Sequence, residues 1–342
     1  MEGLLCVDDF EKEALSKLEK SVCDYYRSGA DDELTVKDNR DSFSRILIRP
    51  RILRDVSNRD LSTTILGKKV SVPLGISPTA MQRLAHPDGE CGSAKATEIV
   101  GGILILSFFS TSSYEEVAAA SPNVRKWFQF YMHKDRSINE AVFKRAEKAG
   151  FEALVLTVDA QYVGKRRASE KNPIQFPSHL RLPNAVPDEE KLDVSKVHDS
   201  IDHSVTWEGF KLQRMPYVQA AELGVDAIIV SNHGGRQIDT APATIDILPS
   251  IVRAVDNRLE VYLDSGIRRG TDIFKALALG AKMVFVGRPA IWGLAVDGAK
   301  GAKRVMEILR DELDLTMALT GVADIKSITS KFVCTKDSLL KL

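Results

Sequence analysis

The sequence predicts a closed (β/α)8 barrel of parallel strands with helical crossovers, and three observations carry that expectation. From Val72 onward one theme repeats: a short apolar run, a polar end, an amphipathic helix, then a glycine before the next run. Parallel neighbours need a helical crossover, so the alternation argues a parallel sheet. The helix-end glycines stand at Val100-Gly101, Ala149-Gly150, Leu223-Gly224 and Leu279-Gly280. Finally, Ala227-Ile228-Ile229-Val230 runs into Ser231-Asn232-His233-Gly234-Gly235-Arg236-Gln237. A buried strand thus presents a base and a cation at its carboxyl end, where α/β proteins hold ligands.

Taken in order, Asp8 to Tyr26 alternates apolar and charged residues at helical spacing until Ser28-Gly29-Ala30, which predicts a helical lead-in. Strands follow at about Val72–Ile76, Ile103–Leu106, Trp127–Tyr131, Leu154–Val158, Ile228–Val230, Val261–Leu263 and Val284–Val286. A closed barrel needs eight. Where the fifth should stand, only Met215-Pro216-Tyr217-Val218 offers a candidate, and Tyr217 to Leu223 reads more easily as helix. The fifth strand is therefore short or missing. The stretch from Gln161 to Thr206 is too long for a plain connection and is either a functional lid or disordered. We divide the single domain 1–342 into a helical lead-in (1–70), a barrel (71–320) and a tail (321–342).

Composition narrows the function. The chain has 342 residues, 44% of them apolar, with 47 Lys+Arg balanced by 47 Asp+Glu, so neither nucleic acid nor an anionic membrane is implied as partner. Cys6, Cys23, Cys91 and Cys334 are too scattered for zinc, and no leader implies an oxidising compartment. The apolar runs Ile103 to Phe109 and Ala153 to Val158 are too short to span a bilayer. A soluble small-molecule enzyme is expected.

The strand ends then read as a ring of hydrogen-bonding groups: Pro78-Thr79-Ala80, Ser107, Gln129 with Tyr131, Thr157 with Asp159, Ser231 with His233 and Arg236, Asp264-Ser265-Gly266 with Arg268, and Gly287-Arg288. His233 and Arg236 suit a substrate that loses a proton while its carboxylate is gripped. Asp264 to Arg268 and Gly287-Arg288 each precede a helix, which implies a phosphorylated ligand, because backbone N–H groups at such ends receive phosphate. His86, His133, His179, His198 and His203 lack ligand spacing and read as loop residues, Trp127 and Trp292 as packing groups. Asp159 also reads as a helix cap, and Glu115-Glu116 and Asp188-Glu189-Glu190 as solvated charge runs.

These segments resemble the FMN-dependent 2-hydroxy-acid oxidase family, which includes glycolate oxidase. The likeness runs from Asp24-Tyr25-Tyr26-Arg27-Ser28-Gly29-Ala30 through Pro78-Thr79-Ala80-Met81, Trp127-Phe128-Gln129, Thr157-Val158-Asp159 and Ser231 to Gln237, to Phe274–Gly280 and Met317-Ala318-Leu319. It implies a TIM barrel, FMN as cofactor, and oxidation of an (S)-2-hydroxy acid with oxygen as acceptor and hydrogen peroxide as product. By position it implies His233 as base and Asp159 as its orienting carboxylate. Arg166, Arg236, Tyr25 and Tyr131 would bind substrate. Pro78, Thr79, Ala80, Ser107, Gln129, Thr157 and Ser231 would contact the isoalloxazine, and Asp264, Ser265, Gly266, Arg268, Gly287 and Arg288 the ribityl phosphate. A peroxisomal homo-tetramer is implied as well, although Leu340-Lys341-Leu342 is an imperfect peroxisomal address.

The sequence departs from the family pattern between Trp207 and Ser231, where it lacks the strand whose terminal lysine faces flavin N1. Lys211 stands in the wrong local pattern for that role. Either Met215 to Ala220 forms a distorted fifth strand, or the chain is a shortened form. Ser265 stands where the family usually has glycine, and Phe109 replaces a tryptophan of the substrate pocket. Two alternatives remain: a flavoprotein of the lactate-dehydrogenase type using another acceptor, and a flavin-deficient, non-catalytic member.

Overall fold

The computed structural model describes residues 1–185, 199–206, 220 and 224–335. They fall into two compact units, each assembled from three stretches of chain: Met1–Ser28, Gly75–Val205 and Gly287–Met306 in the first, Gly29–Leu74, Thr206–Val286 and Glu307–Leu342 in the second. Along the chain the helical lead-in comprises α1 (Val7–Lys17), α2 (Lys20–Arg27) and α3 (Leu34–Arg45), followed by short strands β1 (Ile46–Ile48), β2 (Thr63–Ile65) and β3 (Lys68–Val70).

The expected helical lead-in over Asp8 to Tyr26 comprises two helices, because Leu18 adopts an extended backbone (φ −77°, ψ 147°). The buried pairs Phe10–Ala14 and Val22–Tyr26 keep the i, i+4 spacing on each side of the break, so local spacing does not reveal it. Leu66 (φ 47°) and Gly67 (φ 73°) join β2 to β3. Two left-handed residues make the turn whose twist matches a tight antiparallel hairpin.

In the first unit, β4 (Leu74–Ile76), α4 (Gly89–Val100), β5 (Ile103–Leu106), α5 (Tyr114–Ala120), β6 (Arg125–Phe130), α6 (Arg136–Lys148), β7 (Leu154–Leu156) and α7 (Arg167–Lys171) follow in sequence. The strands are parallel in the order β4, β5, β6, β7, with Ile103 opposite Arg125 and Phe128 opposite Leu154. All four residues of β5 are fully buried, as a parallel strand covered on both faces requires. Gly101, left-handed at φ 76°, ends α4 with its N–H donating to the Thr97 carbonyl.

The second unit carries β8 (Ala227–Val230), α8 (Thr244–Val255), β9 (Glu260–Leu263), α9 (Gly270–Ala278) and β10 (Met283–Val286). Its strands are also parallel, β8 beside β9 beside β10. The long helix α10 (Arg288–Thr320) breaks at Asp297 and Gly298, and β11 (Val333–Thr335) pairs antiparallel with β1. The expected tail therefore closes a small sheet.

All seven expected strands are present within two residues of their predicted ends. Among the described residues no strand lies between Leu156 and Ala227. Of the fifth-strand candidate Met215 to Ala220 only Ala220 is described, helical and buried; Lys211, His198, Asp188-Glu189-Glu190 and Leu340-Lys341-Leu342 lie outside the described residues.

Candidate active site

The residues singled out in the sequence divide between the two units. In the second, the chain leaves β8 and passes through three consecutive left-handed residues, His233 (φ 59°), Gly234 (φ 66°) and Gly235 (φ 75°). Glycine tolerates this region freely, whereas a histidine there costs about 1–2 kcal/mol. Side-chain oxygens capture all three N–H groups. His233 N–H donates to Ser231 Oγ at 3.1 Å, Gly234 N–H to Ser265 Oγ at 3.1 Å, and Gly235 N–H to Asn232 Oδ1 at 3.1 Å.

The segment around α3 braces the same turn. Ala30 N–H donates to the Gly235 carbonyl at 2.8 Å. Asn39 and Asn232 exchange side-chain amide hydrogen bonds, and Asp239 accepts from Thr35 N–H at 2.8 Å and Asp32 N–H at 3.1 Å. A side chain at Gly235 would press on Val36 N at 2.8 Å. Sequence reasoning missed this brace, because the buried face of α3 is Thr35, Asn39, Ser42 and Phe43. With mostly polar residues on it, the helix shows no apolar stripe.

At the end of β9, Ser265 is itself left-handed (φ 73°) and its Oγ donates to Asp264 Oδ1 at 2.8 Å. Gly266 lies against the Asn39 carbonyl so closely that any Cβ would collide with it. The N–H groups of Arg268 and Arg269 donate to Asp272 Oδ2, both at 3.0 Å, and Gly270 N–H donates to Glu312 Oε2 at 2.7 Å. Burial pushes the carboxyls of Asp272 and Glu312 up from their ordinary values. These first N–H groups of α9 are committed within the protein, so a phosphate at this strand end relies on the other groups named for it.

In the first unit, Arg166 gathers three of the predicted residues. Burial pushes its guanidinium below the usual arginine value, while Tyr25, Tyr131 and Asp159 act in the opposite direction. Tyr25 stacks edge-on against Tyr26 at 5.0 Å, and Phe109 lies 5.4 Å from the Tyr131 ring. Asp159 is exposed and follows β7 without capping a helix, which removes the capping alternative.

Gln129, 2% exposed on β6, accepts from Phe108 N–H at Oε1 (3.1 Å), but its buried Nε2 has no hydrogen-bond partner among the described residues. Ser107 Oγ accepts from Phe109 N–H at 3.2 Å, and Thr157 N–H donates to the Phe130 carbonyl at 3.1 Å. The turn holding Pro78, Thr79 and Ala80 is fixed through Gln82, whose Nε2 donates to the Thr79 carbonyl at 3.2 Å. Gln82 N–H in turn donates to the fully buried carboxylate of Glu90 at 2.9 Å. Glu90 also accepts from Thr111 N–H at 2.9 Å and from the hydroxyls of Thr111 and Ser112, each at 2.8 Å. Gly287 packs beside Thr79, whose Oγ1 would be 3.3 Å from a Cβ there. Arg288 straps α2, with Nε donating to the Tyr26 carbonyl at 2.8 Å and Nη2 to that of Ser28 at 3.1 Å.

The residues present fit FMN on one direct observation: a buried amide donor, Gln129 Nε2, awaits an acceptor such as a flavin carbonyl or ring nitrogen. Glu115-Glu116 is solvent-accessible, as expected, and is also engaged: Glu116 closes a capping box with Ser113, and Glu115 pairs with Arg145 Nε at 2.8 Å. His86 and His133 accept from the N–H groups of Asp88 and Asp135, and His203 stacks on Tyr162 at 4.4 Å. Trp127 and Trp292 are buried packing groups, and among the described residues no cluster could hold a metal ion.

The family model described as FMN-dependent dehydrogenase matches residues 14–215 and 212–335. Human 2-hydroxyacid oxidase 1 is 46% identical over 356 residues, covering 96% of each chain. Glycolate oxidase 3 of Oryza sativa subsp. indica is 46% identical over 368 residues, covering 100% of this chain and 99% of the relative. That alignment is longer than the 342 residues aligned to it, and the two family matches meet at 212–215, where the sequence falls short of the pattern. Among solved structures, a Pediococcus acidilactici lactate oxidase superposes with a TM-score of 0.90 at 35% identity, over 97% of this chain and 95% of its own. A soluble mutant of the membrane-associated (S)-mandelate dehydrogenase from Pseudomonas putida gives 0.89 at 34% identity, over 98% and 100%.

Proposed function

Because the chain belongs to the FMN-dependent dehydrogenase family, with the TIM-barrel-like α/β fold of its solved neighbours, we propose that it oxidises an (S)-2-hydroxy acid to the 2-oxo acid. Oxygen takes the two electrons and two protons and leaves as hydrogen peroxide. The observation that carries this reading is the left-handed turn that presents His233 after β8 with its backbone N–H groups captured by side chains. Strain of this kind persists where the surroundings over-determine it, as functional sites do.

FMN, when bound, supplies the two-electron acceptor that no side chain offers. Pro78, Thr79, Ala80, Ser107, Gln129, Thr157 and Ser231 would hold its ring system, and Asp264, Ser265, Gly266, Arg268, Gly287 and Arg288 its ribityl phosphate. The chain's own residues do the rest. Arg166 and Arg236 grip the substrate carboxylate with paired hydrogen bonds, and Tyr25 and Tyr131 hydrogen-bond the substrate. A ring nitrogen of His233 takes the proton released as the α-carbon loses two electrons, and Asp159 favours the imidazolium so formed. Phe109 beside Tyr131 shapes the acid's side-chain pocket. The same likeness supports a peroxisomal homo-tetramer, which light scattering on the purified protein tests for assembly.

The test is the visible spectrum of the purified protein, before and after anaerobic glycolate, lactate and a longer 2-hydroxy acid. A flavin spectrum bleached by one of them, with peroxide formed on admitting air, is the expected result. His233→Gln keeps the flavin and slows bleaching by about 10²–10⁴-fold. Bleaching without peroxide would identify a dehydrogenase using another acceptor, and a protein that stays colourless after reconstitution with FMN would overturn the reading.

A further inference from the structure

We infer that Ser265 is a positioning residue: its hydroxyl clamps the His233 turn to Asp264, and through that clamp holds the base in its productive conformation. The inference rests on the reading of His233 as the base. It goes beyond that reading by giving Ser265 a role towards the base.

The geometry is specific. One hydroxyl serves two partners, donating to Asp264 Oδ1 at 2.8 Å and accepting from Gly234 N–H at 3.1 Å. A serine hydroxyl offers one proton and two lone pairs, so both bonds are compatible in a single orientation. Asp264 is fixed independently, because its carbonyl accepts from Thr244 Oγ1 at 2.6 Å and its own N–H donates to the Val230 carbonyl at 3.1 Å. Gly234 follows His233 directly, so the clamp acts on the peptide that sets the histidine's backbone. The other two N–H groups of the turn are taken by Ser231 and Asn232, which belong to the turn itself. Ser265 supplies the capturing oxygen that comes from another strand end.

Backbone conformation gives a second, independent reason. At φ 73° Ser265 occupies the left-handed region that glycine adopts without strain. A glycine would relieve the backbone but abolish both hydrogen bonds. A side chain kept where glycine is easier implies that the hydroxyl compensates. Ser265 thus belongs to the turn's support as well as to the strand end named for the phosphate.

The experiment compares Ser265→Ala, which keeps the strain and loses the hydroxyl, with Ser265→Gly, which loses both. Amide hydrogen exchange of the peptide containing Gly234 is measured on the full-length protein without flavin, and the rate of anaerobic flavin reduction against pH on the loaded protein. Exchange is independent of any activity, so its outcome stands apart from the oxidase reading. We expect exchange at Gly234 to rise about tenfold in both variants, as loss of one hydrogen bond implies. Flavin reduction should fall, with its pH profile displaced, in both. Unchanged exchange, or faster exchange in only one of the two variants, would overturn the clamp. Faster exchange in both with an unaltered reduction rate and pH profile would overturn its role in positioning the base.

Discussion

Asn39 of α3 and Asn232 of the His233 turn satisfy each other: Asn39 Nδ2 donates to Asn232 Oδ1 at 2.9 Å, and Asn232 Nδ2 returns a bond to Asn39 Oδ1 at 2.7 Å. Asn39 is 2% exposed, and truncating it removes both of these bonds, while Asn232 keeps Gly235 N–H on its Oδ1 and the Pro242 carbonyl on its Nδ2. Two lost hydrogen bonds cost about 1 kcal/mol each. Asn39→Ala should lower the unfolding free energy by about 2 kcal/mol in a urea titration. In a double-mutant cycle the Asn39→Ala/Asn232→Ala pair should cost clearly less than the two single losses together. Simple additivity would show that the two amides are not coupled.

Glu90 offers a sharper contrast between two substitutions. Its Oε1 accepts two backbone N–H groups, from Gln82 and Thr111, while Oε2 accepts two hydroxyls, from Thr111 and Ser112. Hydroxyls can turn round and become acceptors, whereas N–H groups cannot. Glu90→Gln, with its amide nitrogen towards the hydroxyls, should therefore be tolerated, losing about 1 kcal/mol or less. Glu90→Ala strands both buried N–H groups and should cost about 2–5 kcal/mol. Thermal unfolding of the two variants decides it, and equal losses would refute the division of labour between the two oxygens.

Gln129 bears on the cofactor. Replacing it with methionine removes the buried Nε2 donor that lacks a partner among the described residues, and with it the hydrogen bond proposed to the flavin. FMN should dissociate about tenfold more readily, read by fluorescence titration of the flavin-free protein. Loss of the acceptor for Phe108 N–H should also lower the melting temperature of the flavin-free form. Unaltered FMN affinity would argue against Gln129 facing the cofactor.

The Glu115–Arg145 pair gives a pH dependence. Arg145, hydrogen-bonded to Glu115 at 2.8 and 2.9 Å, holds that carboxyl at about 2 instead of its ordinary 4.5. A depressed folded-state value means that its stabilisation is present above pH 4.5 and disappears as pH falls towards 2. Both side chains are partly exposed, 54% and 42%, so screening keeps the effect to a fraction of a kcal/mol. Glu115→Gln should remove a corresponding part of the acid-side slope in the stability profile and leave the profile above pH 5 nearly parallel. An unchanged acid slope would show that the pair contributes nothing.

How far the sequence announced all this depends on what each segment buries. The strands were legible because β5 and β10 are four-residue runs buried along their whole length, and composition alone reveals such runs. Strand-end residues such as His233 and Gln129 follow once the strands are placed. The brace behind them does not follow. Asn39 and Asn232 lie 193 positions apart and are small polar residues that resemble any loop or helix surface. Nor did periodicity report α3, whose inward face is Thr35, Asn39 and Ser42, or the break at Leu18, on both sides of which the i, i+4 apolar spacing continues. The fate of the α9 N–H groups was invisible too, since Glu312 arrives from a helix 42 positions further on.

The antiparallel pairing of Ile46–Ile48 with Val333–Thr335 has a consequence for biosynthesis. A ribosome adding 5–20 residues per second needs on the order of 15 to 60 seconds to travel from one strand to the other. Throughout that interval the nascent chain must carry Ile46, Leu47 and Ile48 without the partner that covers their edge. Each compact unit likewise waits for its third stretch, which begins at Gly287 in one and Glu307 in the other. Until those stretches are made, the aliphatic edge of the early strand stays uncovered, which exposes the nascent chain to aggregation.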